Sequence, residues 1–158
     1  MNWILRLLAL LAMFLSLPMV EVCAQQAPLG TGLEIDNYQL VRVLVEDDKA
    51  IEQIGLTTDR IRTRVELRLQ QARLKLGHRP DRAFLYVNVN VAGHGFAIQL
   101  AFKRWVSYLV GNVARQRLAS TWDTGRAGTY TKNPEYIIQQ LDILLDEFLN
   151  EYLKANGQ

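Results

Sequence analysis

Two histidines are the first residues whose side chains could bind a metal or transfer a proton. His78 lies in the sequence Gly77-His78-Arg79-Pro80, and His94 lies in a glycine-rich turn. A protein metal site uses three or four ligands, and neither histidine has a cysteine, a second histidine or a suitably spaced carboxylate nearby in the sequence. We therefore expect two exposed loop histidines, and we predict neither a metal nor a cofactor.

The sequence gives little indication of catalysis by a nucleophilic serine or by a pair of carboxylates. A catalytic serine needs an adjacent, oriented base, whereas Ser107 and Ser120 fall within predicted strands and far in sequence from either histidine. Asp142 and Asp146 form a carboxylate pair of the kind that glycosidases use, but their spacing places them on the polar side of a predicted helix. We predict no catalytic residues and expect that the chain is not an enzyme.

Three arginines at four-residue spacing could bind an anion. Arg60, Arg64 and Arg68 fall on one stripe of a predicted helix, and such a stripe suits lipid headgroups, lipopolysaccharide phosphates or an acidic partner. The alternative, which we favour, is a solvated helix face whose arginines pair locally with carboxylates.

Aromatic residues provide a second candidate surface. Trp105, Tyr108, Trp122 and Tyr130 fall near the predicted end of a sheet, where the alternation of apolar and polar residues is lost. Exposed aromatic side chains at a sheet edge are typical of protein interfaces. We predict that these four residues form a partner surface, with packing inside the domain as the alternative.

The N-terminal residues have the pattern of a segment that directs export. Residues 1–24 carry one basic side chain, Arg6, followed by an apolar run from Leu7 to Leu17 and then Pro18. Small residues at Val22 and Ala24 suit cleavage after Ala24, and the run is shorter than the ~20 residues of a membrane span. We predict a cleaved signal peptide and a periplasmic or secreted protein, with an uncleaved anchor as the alternative.

Cys23 suggests a second alternative, a lipoprotein acylated on that cysteine. The residues before it, Val20, Glu21 and Val22, match such a site poorly. Cleavage after Ala24 removes this single cysteine, so that no disulfide can stabilise the remaining chain.

The rest of the chain is predicted to form one domain. Residues 25–37 are polar and rich in glycine and proline, and we assign them to a flexible leader; residues 38–158 form the domain. The signal peptide removes one basic and one acidic residue, so the net charge stays at +2. This balance argues against nucleic acid or a strongly anionic membrane as a partner.

Hydrophobic periodicity predicts an α+β fold with the order β-α-β-β-β-α. Apolar residues recur at helical spacing from Ile61 to Leu76, after a threonine N-cap at Thr57 or Thr58 and before a predicted C-cap at Gly77. Asn133-Pro134 begins a second helix, which ends at Asn156-Gly157. The predicted strands are residues 38–45, 84–91, a return strand from Phe96 with a bulge near Arg104-Trp105, and 113–122.

These elements are expected to form a two-layer sandwich. The four-stranded, mostly antiparallel sheet would carry both helices on one face, with Leu118 and Trp122 pointing inward from the third strand of the meander. A turn at Gly111-Asn112 precedes that strand, and residues 123–129 are predicted to be a polar loop.

The order of elements resembles that of a group of periplasmic domains. The succession of strand, Gly55-Leu56-Thr57 helix, meander and closing helix is similar to the amino-terminal domain of the translocation protein TolB, to LpoB and to CsgG. Three segments also resemble a set of exported bacterial proteins of unknown function: residues 61–69, 85–89 and 146–153. The first resemblance implies a non-catalytic domain that binds envelope proteins; it is a likeness of layout.

The sequence thus favours a non-catalytic periplasmic or secreted domain that acts through an envelope protein partner. The first alternative is a carrier of a small ligand or lipid, with a pocket lined by Phe96, Phe102 and Phe148. The second is an uncharacterised enzyme, which would need His78 and His94 close to each other and to a carboxylate. The oligomeric state is left open.

Overall fold

A computed structural model describes residues 30–35, 40–77, 83–131 and 133–157. Within these ranges the chain forms five strands and three helices. In chain order they are β1 Leu40–Val45, α1 Lys49–Glu52, α2 Thr58–Gln71, β2 Lys75–Leu76, β3 Phe84–Ala92, β4 Gly95–Val110, β5 Val113–Thr129 and α3 Pro134–Ala155. The α+β class is confirmed. The predicted signal peptide, His78 and Pro80 lie outside the described residues.

The described strands form one mixed sheet in the order β2-β1-β3-β4-β5. β1 pairs in parallel with β2 and with β3, whereas β3, β4 and β5 form an antiparallel meander. The predicted sheet of four strands is therefore one strand short. The predicted two helices omit the short α1, whose N-cap is Asp48.

Helix α2 begins where the sequence predicted and ends earlier. The Thr57 hydroxyl accepts a hydrogen bond from the Arg60 amide at 3.1 Å, as an N-cap does. The predicted C-cap at Gly77 is wrong, because Arg73 adopts a left-handed φ of 64° and reverses the chain just beyond Gln71. Leu76 therefore belongs to β2 and pairs with Val41.

The core lies between one face of the sheet and helices α2 and α3. Leu85, Val87 and Val89 of β3 are buried on that face, as their alternation predicted. On the opposite face Asn90 and Gln99 are exposed. There the Lys103 ammonium lies 3.7 Å from the centre of the Tyr86 ring, a cation–π contact.

Strands β4 and β5 are longer than predicted. The predicted polar loop at 123–129 is wrong: this segment is strand and pairs with residues 95–101 of β4. The polar composition of this segment suits a strand at the edge of the sheet. Its two glycines allow a close approach to β4: Gly125 lies near the Ile98 carbonyl, and Gly128 lies near the Phe96 ring. The bulge lies between Phe102 and Lys103 rather than at Arg104-Trp105.

Residues 30–35 pack against the domain, although composition predicted a flexible leader there. Leu33 is fully buried. The Asn156 side chain donates to the Leu33 carbonyl at 3.1 Å and accepts from the Ile35 amide at 3.1 Å. The segment is therefore attached to the C-terminal end of α3.

Candidate functional site

The arginines of α2 lie opposite acidic residues of α3. Arg60 pairs with Glu135, Arg64 with Asp142 and Arg68 with Asp146. Both sets of residue numbers rise together, so the two helices run in the same direction. The Arg64–Asp142 pair is bidentate, with Nε to Oδ1 at 2.8 Å and Nη2 to Oδ2 at 2.6 Å.

This pairing changes what the stripe can bind. Hydrogen bonding to Asp142 and its negative charge raise the pKa of Arg64 above its ordinary value. The groove between the helices is lined by both signs of charge, including Arg60, Glu135 and Asp142. An anionic ligand here would have to displace the carboxylates, which favours the local pairing that we preferred from the sequence.

Residues considered for catalysis and ligand binding are dispersed or packed. His94 is exposed in the turn between β3 and β4. No cluster of His, Cys, Asp or Glu suited to a metal occurs within the described ranges. Phe96, Phe102 and Phe148, which would line a carrier pocket, are buried, and the Phe102 and Phe148 ring centres are 6.0 Å apart. They fill the core.

The four predicted aromatic residues do not form one cluster. Trp122 is half-buried, with its ring centre 5.3 Å from that of Phe148 and its indole N–H donating to Glu151 at 2.6 Å. Tyr130 is buried beside the β3–β4 turn, where its amide donates to the His94 carbonyl. Trp105 lies ten residues along β4 from that turn, roughly 33 Å away in an extended strand.

Trp105 and Tyr108 instead belong to a two-stranded arm. We define the arm as residues 103–120, where β4 and β5 continue past the bulge. Apart from Lys103, which also pairs with Phe84 of β3, these residues pair only with each other among the described strands. Its tip is the turn Gly111-Asn112 between the paired residues Val110 and Val113. Gly111 takes φ 58° at the first central position, as type II′ hairpin turns require.

Most large apolar side chains of the arm are exposed. This corrects the predicted inward position of Leu118. The exposed members are Trp105 at 52%, Tyr108 at 41%, Leu109 at 72%, Val110 at 53%, Val113 at 59% and Leu118 at 42%. A concentration of exposed apolar residues on one projection is typical of a binding surface.

The two faces of the arm follow from the strand alternation and the register. Every second residue of β4 faces the same side of the sheet, and Phe102 faces the core. Residues 104, 106 and 108 therefore lie on the side of the helices. Trp105 and Leu109 lie on the opposite side, which we call the outer face. Leu118 pairs directly with Trp105. Tyr108 lies on the other face, opposite Arg115.

The arm is strongly basic. It contains Lys103, Arg104, Arg115 and Arg117, which are four of the 18 basic residues, and none of the 16 acidic ones. The remainder of the chain therefore has 14 basic and 16 acidic residues, a net charge of −2. The arm thus concentrates positive charge beside exposed apolar side chains.

Sequence reasoning missed the tip residues Leu109, Val110 and Val113. Two signals could have found them. Apolar residues directly flank the Gly111-Asn112 turn, where polar residues are usual, and no acidic residue occurs between Asp81 and Asp123.

Comparisons with known proteins add little to this picture. No family model matches the chain, and no curated protein matches it. A crystal structure of a minor lipoprotein from Acinetobacter baumannii aligns at 12% identity over 75% of this chain and 93% of that chain, with a TM-score of 0.33. A likeness of this size supports no inference about activity or partners. Among the described residues, no helix is long and apolar enough to cross a membrane.

Proposed function

We propose that this chain is a non-catalytic binding domain of the cell envelope, exported to the periplasm or secreted, and that a protein partner binds the outer face of its arm. The observation that carries the proposal is the exposed cross-strand pair Trp105–Leu118, with Leu109 on the same face. Tryptophan is enriched among the residues that dominate protein interfaces.

The position of this pair favours a macromolecular partner. The arm extends beyond the sheet that the helices cover, and its outer face is a ribbon rather than a concave pocket. A small ligand needs a concavity that surrounds most of its surface, whereas a protein can contact a ribbon from one side. The alternative of a small-ligand carrier is disfavoured by the packing of Phe102 against Phe148.

The acidic residues of α3 that could support acid–base chemistry are engaged in the fold. Asp142 and Asp146, the carboxylate pair considered from the sequence, bind Arg64 and Arg68. Glu147 and Glu151 accept hydrogen bonds from Thr124 and Trp122. These contacts support a structural use of the acidic residues of α3.

Site-specific photocrosslinking in the producing cell tests the proposal. A photoreactive amino acid replaces Trp105 in one variant and Gln70, an exposed residue of α2, in the control. We expect an adduct with another envelope protein from position 105 alone, and its loss on Leu118→Ser. Equal adducts from both positions, or adducts only between copies of this chain, would contradict the proposal.

A further inference from the structure

The tip of the arm is apolar on both of its faces. Leu109 lies on the outer face, and Val110 and Val113 lie on the other, directly across the strands from each other. All three are more than half exposed. A pocket on a folded partner would contact one face of the ribbon, whereas a fluid apolar medium can surround both. The arrangement therefore suits a lipid bilayer.

Directly behind the tip, the arm carries the side chains that favour a membrane interface. Tyr108 pairs across the strands with Arg115, and Arg117 lies two residues further from the tip, opposite Val106. Tyrosine favours the headgroup layer, and arginine can extend its guanidinium to phosphates while its methylenes stay in apolar surroundings. With no carboxylate on the arm, the charge complements anionic headgroups.

We propose that the tip of the arm inserts into the headgroup and upper acyl region of an anionic lipid bilayer. Interfacial elements bury their apolar side ~5–10 Å deep. At ~3.4 Å per residue, Tyr108 lies roughly 7 Å behind Val110 and is therefore at the headgroups. This inference goes beyond the proposed protein contact, with which it shares Leu109, and stands otherwise on Val110, Val113 and the basic residues behind them.

The same spacing keeps the two contacts apart. Trp105 lies five residues from Val110, roughly 17 Å behind the tip. The Trp105–Leu118 pair would therefore remain outside the headgroup layer when the tip is inserted. A protein partner at Trp105 and Leu118 and a bilayer at the tip would therefore engage the arm at the same time.

The path of the chain places its N-terminal side at the base of the arm. The Thr121 hydroxyl donates to the Gly32 carbonyl at 2.6 Å, and Arg104 donates to the Glu34 carbonyl. The described segment 30–35 therefore contacts the base of the arm.

Vesicle binding of the exported protein, purified after processing by the cell, tests the proposal. The probes are vesicles of pure phosphatidylcholine and vesicles with about 30% phosphatidylglycerol. We expect binding to the anionic vesicles alone, weakening as added salt screens the charges. Arg115→Gln with Arg117→Gln should lower the partition coefficient on the order of 25-fold, because each basic residue near an anionic surface raises that coefficient about fivefold.

Tip variants separate insertion from simple electrostatic attraction. Replacing Leu109, Val110 and Val113 by serine should lower the partition coefficient at least tenfold, by about the transfer free energy of a few methylenes. The matched control is Leu67→Ser with Ile143→Ser, two exposed apolar residues of the helices. Lys49→Gln with Lys75→Gln provides the charge control. Neither control should alter binding.

A depth probe completes the test. In Leu109→Trp, the new tryptophan should be quenched by lipids brominated on their acyl chains, whereas Trp105 and Trp122 in the unmodified protein should not. Binding without quenching at position 109, or equal binding by the serine variant, would overturn the proposal. So would absence of vesicle binding together with a tip-dependent adduct to a protein, which would assign the tip to a protein pocket.

Discussion

Arg64 and Asp142 hold helices α2 and α3 together through a two-bond ion pair. Both guanidinium bonds are 2.8 Å or shorter, and the Asp142 side chain is only 20% exposed. Bidentate geometry fixes orientation as well as distance. The pair lies at the centre of a row flanked by Arg60–Glu135 and Arg68–Asp146, so this row sets the register of two parallel helices over the core.

A double-mutant cycle measures this pair. Arg64→Ala, Asp142→Ala and the double variant should reveal a coupling free energy of about 0.5–1 kcal/mol in urea unfolding, the upper range for exposed pairs. Arg64 is 44% exposed, so solvent screening prevents a larger value. The control cycle uses Arg62 and Asp59, whose 3.5 Å contact lies within one helix, and it should give a smaller coupling. Equal couplings would contradict the structural role of the central pair.

Removing the charge of the stripe should affect stability but not membrane binding. In Arg60→Gln with Arg64→Gln and Arg68→Gln, three carboxylates of α3 lose their partners, so the melting temperature should fall by several degrees. Because these arginines are already neutralised, partitioning to anionic vesicles should change less than twofold. Sedimentation of the variant with the vesicles described above provides the measurement. An unchanged melting temperature with lost vesicle binding would place the anion site on α2 instead of the arm.

The sequence predicted elements whose signals are local. Strict alternation located β3 and the first half of β4, and Asn133-Pro134 located the start of α3, where the Asn133 side chain accepts from the Glu135 amide at 3.0 Å. The spacing of Arg60, Arg64 and Arg68 predicted a shared stripe, and in the structure each of the three pairs with a carboxylate of α3. These features depend on residues within one or two turns of the chain.

Features that depend on distant partners were not predictable in this way. Nothing in the sequence around Arg73 indicates that this residue adopts a left-handed conformation. Because Leu76 continues the helical spacing of apolar residues, the end of α2 was predicted too late in the chain. Thr129 is strand because Gly95 pairs with it, and its own neighbourhood is polar. Leu118 was predicted to point inward for the same reason: only its pairing with Trp105 and its 42% exposure show that it lies on the outer face of the arm.

Gly32 should be intolerant of any side chain. Its φ is +85°, and an alanine Cβ there would lie 2.1 Å from the Thr121 carbonyl oxygen. Gly32→Ala should therefore displace residues 30–35 and expose Leu33, which is worth about 1.5–3 kcal/mol of burial. Gly55→Ala is the matched control, because its φ is +80° and nothing lies within 4 Å. Chemical denaturation should show Gly32→Ala to be the more destabilised by about 2 kcal/mol; similar losses would contradict the packing of this segment.

The attachment of residues 30–35 should weaken in acid through Glu34. Hydrogen bonds from its own amide, then from the Thr31 amide, and further from the Thr31 hydroxyl and the Gly32 amide, hold the pKa of Glu34 below its ordinary value of 4.5. The folded carboxyl thus binds a proton less readily than the unfolded one. Its stabilising contribution is complete above pH 4.5 and is lost as the pH falls through the lower, folded pKa.

Nuclear magnetic resonance of the Thr31 and Gly32 amides measures this titration. The Thr31 amide donates to Glu34 Oε1 at 2.6 Å and the Gly32 amide donates to Oε2 at 3.0 Å, so both signals should move together as the pH falls below 4.5. Glu34→Gln should remove the transition, since an amide does not titrate. Glu52→Gln, at an exposed residue of α1, should leave it in place. A transition that persists in Glu34→Gln would mean that another carboxylate controls the segment, and the hydrogen bonds of Glu34 would then not be what holds it.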